Sequence, residues 1–410
     1  MTRVGGIDVQ LLRTPGLGEV FNCVLSRHQC LHEEGVHRFE QRWRSVLADE
    51  ALELSLAPSE CPAVSIAWHP TQRVLAFGSS NGSVFFFDFS LKKWRKECLQ
   101  TSEQKEISCV SFNPVLPSLL AAGSRNFLFI WDMSQDGSDA FRSRIQFPED
   151  VVEIEFCDHG RFLAVQLTRS VFVLDVATCH FPNPDSIPLS VPGSGSISNV
   201  RWSPSSSFLA VSRSNSTGIS LFETKDWSSY PFHFPGRSKS WFLTGLTWSS
   251  FKSTEILFAS RNADDCVYAV GVPDNMSFRT KSLALDPHRV VYSEPIIRLA
   301  PSTSLNGMNQ ETRFVDSAGK IAISPRGDRL AVSFDKDGRS AVAIFAMRVE
   351  VELSAPVARH VGFIHRPSES EEDKFRVLTM EFHRHIEIGY LLSILWEDGI
   401  VSLHPGIIDP

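Results

Sequence analysis

The chain has 410 residues, 42% of them hydrophobic, and its 40 Lys and Arg stand against 47 Asp and Glu for a net charge of −7. No basic concentration exists beyond Lys92, Lys93, Arg95 and Lys96, which argues against a nucleic-acid partner and reads as a solvated loop. No apolar run reaches membrane-spanning length, and the eight scattered cysteines form no CxxC pair, so an intracellular protein with reduced thiols and no membrane span is expected.

Residues 1–60 form an N-terminal extension without a secretory signal, since residues 1–18 lack a continuous apolar stretch. Ile7, Val9 and Leu11 alternate like a strand. Cys23, His28, Cys30 and His32 do not have the spacing of a zinc finger, and no metal is expected there. Val36, Phe39, Trp43, Val46 and Leu47 recur at helical spacing opposite Arg38, Gln41, Arg42, Ser45 and Asp49. That pattern predicts a short amphipathic helix. It packs on the body of the protein or offers Phe39, Trp43 and Leu47 to a partner. Leu52, Leu54 and Leu56 alternate just before the first repeat.

From residue 61 to 410 three anchors recur. The first ends a strand, often before x-Pro: Trp68, Phe112, Phe156, Trp202, Trp248, Ile323 and Phe382. The first four gaps are 44, 44, 46 and 46 residues, and the last two, 75 and 59, carry insertions. The second is an apolar pair: Leu75-Ala76, Leu120-Ala121, Leu163-Ala164, Leu209-Ala210, Leu257-Phe258, Leu330-Ala331 and Leu391-Leu392. The third closes a later strand, as at Phe87-Asp88, Trp131-Asp132 and Leu174-Asp175. Proline after the first strand stops a ladder, and Asn81-Gly82, Asp337-Gly338 and Asp398-Gly399 suit two-residue hairpins. A small sheet buries both faces only by stacking on neighbours around a ring. Seven such units predict an all-β, seven-bladed β-propeller with a short N-terminal helical segment. The last blade ends one strand short, so Leu52–Leu56, or else Ile7–Leu11, is expected to close the ring.

Two insertions stand out: residues 271–320, with a possible extra strand near Val290–Tyr292, and the charged loop at 365–375. Gly193-Ser194-Gly195-Ser196 reads as a flexible linker, and His69, His383 and His385 read as turn and loop residues. Neither a GxxxxGK[ST] phosphate loop nor a GxSxG nucleophile turn occurs. No catalytic residue, cofactor or small-molecule substrate is expected.

The repeats resemble WD-repeat proteins, although only Trp131-Asp132 carries the signature dipeptide. The Gly-His that often opens such repeats is missing, so the Asp-His-Ser-Trp network cannot form in most blades and apolar packing must hold them together. Within that group the chain resembles the aladin family of WD-repeat nucleoporins. The strings are Ile66-Ala67-Trp68-His69-Pro70, Val110-Ser111-Phe112-Asn113-Pro114, Val200-Arg201-Trp202-Ser203-Pro204, residues 324–332 and residues 392–401. The resemblance implies a non-enzymatic scaffold of the nuclear pore complex at the nuclear envelope. It implies support of protein import and, as partners, other nucleoporins, one of them membrane-anchored. A cytosolic adaptor for ubiquitination or signalling complexes is the competing expectation.

Overall fold

Pro70, Pro114 and Pro204 each follow the first strand of their repeat, where a residue without an N–H ends the ladder and the chain doubles back. The computed structural model describes residues 62–134, 140–176, 186–233, 243–261, 266–273, 292–298, 317–348, 356–365, 375–384 and 389–406, apart from positions 92, 96, 97, 215, 217, 252, 253, 337 and 338. It also describes 3–4, 7–8 and 53–54. Seven four-stranded antiparallel sheets result, each with its strands in chain order except the last. Their first strands are Ala63–Trp68, Ile107–Phe112, Val151–Phe156, Ile197–Trp202, Leu243–Phe251, Ser317–Ile323 and Val377–Phe382. Each first strand neighbours the next, and the seventh touches the first, so the sheets are blades of a closed ring around a central channel.

The seventh blade takes its fourth strand from the N-terminus. Glu53 pairs with Ser402 and Leu54 with Val401, so the segment around Leu54 closes the ring. Ile7–Asp8 pairs instead with Arg3–Val4 in a separate small sheet. The helix expected over residues 36–49, with Phe39, Trp43 and Leu47, lies outside the described residues, as do Cys23, His28, Cys30, His32, His385 and the charged loop at 366–374. Among the described residues the regular elements are strands.

Seven apolar clusters fill the seven seams between blades. The Leu-Ala repeat follows from this geometry. The second strand lies mid-blade, so successive side chains face opposite seams. Leu75 packs in the seam with blade seven and Ala76 in the seam with blade two. Leu209 and Ala210 divide in the same way. Burying one such Leu contributes about 1.5–3 kcal/mol. In blade seven the register corrects the sequence alignment by one residue. Leu392 lies opposite Phe382, as Leu75 lies opposite Trp68, so the equivalent pair is Leu392-Ser393.

Several local expectations change. At Asn81-Gly82 and Asp398-Gly399 the loops hold three residues rather than two. Ser79 N–H donates to Ser83 O at 2.9 Å and Trp396 N–H to Ile400 O at 3.0 Å, with Gly82 and Gly399 at φ +88° and +81°. A Cβ on Gly82 would lie 2.2 Å from Lys105 O, so only glycine fits. Lys336 pairs with Arg339, which leaves two residues between them, as expected. The extra strand runs Tyr292–Arg298 and is the fourth strand of blade five. Lys93–Trp94, expected in a solvated loop, is the outer strand of blade one, because Trp94 packs on Phe77 and Phe87 with ring centroids 5.0 and 5.4 Å away. The Gly-Ser linker is pinned rather than flexible: Arg213 donates to Pro192 O at 3.1 Å, Val191 O at 2.9 Å and Gly195 O.

Candidate functional site

The first strand of each blade has only one ladder partner, so its inward backbone groups need others. Side chains from the neighbouring blade supply them, which makes the channel wall the chemically richest part of the ring. Glu155, one residue before the anchor Phe156, accepts the Trp202 N–H at 3.0 Å. Glu381, one residue before Phe382, accepts the Trp68 N–H at 3.3 Å. Ser65 accepts the Val110 N–H at 3.1 Å. Burial raises the Glu155 and Glu381 carboxyls to about 7 each, against the pull of Arg201 on the first and of Arg384 on the second. Burial also pushes Glu153 up, but the charge and hydrogen bond of Arg201, 2.7 Å away, outweigh it and leave Glu153 below its usual range. Arg384 and Asp158 meet at 3.1 Å across 226 residues of sequence. They follow the first strands of blades seven and three, which are not neighbours, so this pair spans the channel mouth.

The anchors sit behind this wall. Trp68, Phe112, Phe156, Trp202, Trp248 and Phe382 are buried, each packed in the seam with the preceding blade, and Ile323 is half-buried in its own. Three indoles also bond backward. Trp68 Nε1 donates to Ser393 Oγ at 2.9 Å, Trp202 Nε1 to Glu155 O at 2.9 Å and Trp248 Nε1 to Arg201 O at 3.1 Å. Trp202 stacks on Phe162 with ring centroids 6.1 Å apart and meets Trp227 edge-on at 6.2 Å. His383 is no plain loop residue, because it is buried with its ring 4.5 Å from Trp68 across the closing seam. His69 serves its turn from inside, as Nδ1 accepts the Gln72 N–H at 2.9 Å; burial, helped by Arg95, lowers its pKa to about 4.

Trp131 and Asp132, both buried, lie at the end of the third strand of blade two. Trp131 Nε1 donates to Gln104 Oε1 at 3.2 Å, and Gln104 in turn donates to Gly82 O at 2.8 Å. A glutamine thus bridges where a histidine would. Asp132 accepts the Ser134 N–H at 3.0 Å and pairs with Arg142. In blade seven Trp396 donates to Ser402 at 2.7 Å, and Ser402 contacts His404 at 2.8 Å.

Sequence reading passed over the channel residues and a set of buried serines. Ser124 Oγ accepts the Lys105 N–H at 3.0 Å, Ser333 Oγ accepts the Lys320 N–H at 2.8 Å and Ser260 Oγ donates to Gly319 O at 2.7 Å. All three lie on the second strand of their blade, Ser124 at its end, Ser260 one residue before it and Ser333 mid-strand, opposite a bulge that shifts the register of the first. The signal was present as Ser ten to twelve residues after an anchor. The arrangement can hold blades together, and its channel charges are largely engaged in doing so. Among the described residues no group of three or more His, Cys, Asp or Glu could hold a metal ion.

No protein-family signature matches the chain. It is similar to Aladin of Arabidopsis thaliana, with 26% identity over 377 residues, covering 85% of this chain and 76% of that protein. The fold resembles the crystal structure of the Myceliophteria thermophila Cps50 (Swd1) β-propeller domain, with a TM-score of 0.59 and 15% identity over 85% of this chain and 98% of that one. The second likeness speaks for the fold alone. The first covers most of the chain, and together with the seven-bladed ring it makes this chain an aladin-like WD-repeat protein.

Proposed function

We propose that the chain is a non-catalytic, nucleoporin-like scaffold that works at the nuclear pore complex in support of protein import, held there by a membrane-anchored nucleoporin. The likeness to Aladin over 85% of the chain is the observation that carries this reading. The chemistry of the ring agrees with it. Glu155, Glu381 and Ser65 bond the backbone of the next blade, Glu153 pairs with Arg201 and Asp158 with Arg384, so these polar groups serve cohesion. A rigid ring with large loop faces suits the holding of other proteins. Among the described residues no helix is long and apolar enough to cross a membrane, so attachment would run through a partner or a surface contact.

Imaging of the tagged full chain tests the location. A nuclear rim supports the pore reading, and a diffuse cytosolic signal sinks it in favour of an adaptor. Proximity labelling from the same fusion should enrich nucleoporins, including one with membrane spans. Stoichiometric nucleotide binding in calorimetry would overturn the non-catalytic part.

A further inference from the structure

Antiparallel meanders send the turns after the first and third strands of every blade to one face of the ring. On that face, on adjacent blades, two loops hold large apolar side chains in solvent. Leu91, after the third strand of blade one, is 59% exposed. Val115 and Leu116, after the first strand of blade two, are 57% and 55% exposed. Neither loop is slack. Asn113 is fully buried, and its carboxamide accepts the Val115 and Leu116 N–H groups at 2.9 and 2.8 Å while donating to Gly160 O at 2.7 Å. Pro114 and Pro117 flank the pair. Asp88 accepts the Ser90 and Leu91 N–H groups at 2.9 and 3.1 Å. Leu91 is followed directly by the densest basic run of an otherwise acidic chain, residues 92–96, in which Lys93 is exposed and Arg95 pairs with Asp88.

We propose that this face docks on an anionic phospholipid bilayer, with Val115, Leu116 and Leu91 entering the boundary between headgroups and acyl chains and Lys93 meeting lipid phosphates. Shape favours a bilayer over a peptide. Protein hot spots are aromatic or Arg anchors seated in pockets. Here unbranched turns present aliphatic side chains outward, with basic residues beside them, which is the composition of an interfacial anchor. Charge favours it too. The chain as a whole is repelled by an anionic surface, but a local basic run dominates within a screening length of roughly 10 Å. Elsewhere on this face Arg142, Arg161 and Arg384 are paired with Asp132, Asp175 and Asp158, whereas exposed Lys93 follows the apolar tip Leu91 by two residues. This inference stands apart from the pore reading, since a bilayer contact needs no nucleoporin.

Flotation of the full chain with vesicles tests it. Binding is expected to phosphatidylcholine vesicles that contain phosphatidylserine, weakly or not at all to phosphatidylcholine alone, and to fall as salt rises. V115E/L116E should lower the bound fraction roughly tenfold or more, and K92E/K93E should abolish the lipid-charge dependence. Both pairs should melt with the parent, because V115E/L116E alters exposed tips and Lys93 is exposed on the outer strand of its blade. V115W should show a blue-shifted emission when vesicles are added. Failure of the parent chain to float with phosphatidylserine vesicles at low salt overturns the proposal. So does full competition by soluble glycerophosphoserine together with unaltered binding of V115E/L116E, which would mean a headgroup site without insertion.

Discussion

Replacing Trp202 by alanine tests whether seam packing holds this ring together. The indole is buried, stacks on Phe162, meets Trp227 edge-on and bonds Glu155 O. Truncating a buried Trp costs about 3–5 kcal/mol through lost transfer energy and the cavity left behind. The upper end applies here, because each aromatic pair adds about 0.5–1.5 kcal/mol beyond its area. The orphaned Glu155 carbonyl adds about 1 kcal/mol more. A loss near 5 kcal/mol is a large share of a margin of roughly 5–15 kcal/mol. Trp202→Phe keeps a ring in the seam and loses mainly the N–H, so it should cost about 1–2 kcal/mol. Urea unfolding followed by near-ultraviolet circular dichroism measures both. If Trp202→Ala shifts the free energy by less than about 1 kcal/mol at constant m-value, packing does not carry the seam. If Trp202→Phe is as damaging as Trp202→Ala, the hydrogen bond carries it instead.

Three further outcomes follow from the channel and the closure. Burial raises Glu155 and Glu381 from 4.5 to about 7, so the folded chain holds these protons more tightly than the unfolded one. The stability involved is present below about pH 4.5 and lost as pH rises through 7. Glu381→Gln should therefore match the parent near pH 4.5 and gain on it progressively up to pH 8 in urea midpoints; a constant offset at all pH values would contradict the raised carboxyl. The Arg384–Asp158 pair is about half exposed on both sides, so a double-mutant cycle should give a coupling of at most about 1 kcal/mol. Leu54→Pro should break the pairing with Val401, lower the melting temperature and yield self-association by size-exclusion chromatography, through the freed edge of the strand Val401–Gly406; a monomer that melts with the parent would show that Glu53–Leu54 does not close the ring.

The ring was legible because its repeat is a packing rule. Each anchor must fill a seam and each small partner must leave room, so Trp202 and Ala210 recur as types even where no dipeptide signature survives. The closing strand was legible for a related reason: a blade one strand short exposes an edge, and Leu52–Leu56 alternates within reach of it. What escaped were pairings that depend on register and on distant blades. Glu155 and Glu381 look like ordinary exposed strand positions until the neighbouring blade brings up a bare N–H. Glu255, 1% exposed, bonds Ser205 fifty positions away at 2.6 Å, and no local pattern announces it. The shift from Leu391-Leu392 to Leu392-Ser393 also needed the strand register, since three consecutive residues there fit the apolar pattern or its small partner.

The two-ended seventh blade sets a timetable for synthesis and a lock against its reversal. Trp68 and Glu381 bond across 313 residues. Bringing chain ends that far apart together costs about 5 kcal/mol of loop entropy, paid in one late event. The seam between blades seven and one cannot form until blade seven has been made, so the first strand of blade one waits with its seam face open to solvent until then. Once the clasp shuts, neither end of the propeller is a loose thread: peeling from the N-terminal side strips blade seven of its outer strand, and peeling from the C-terminal side must first break the same ladder.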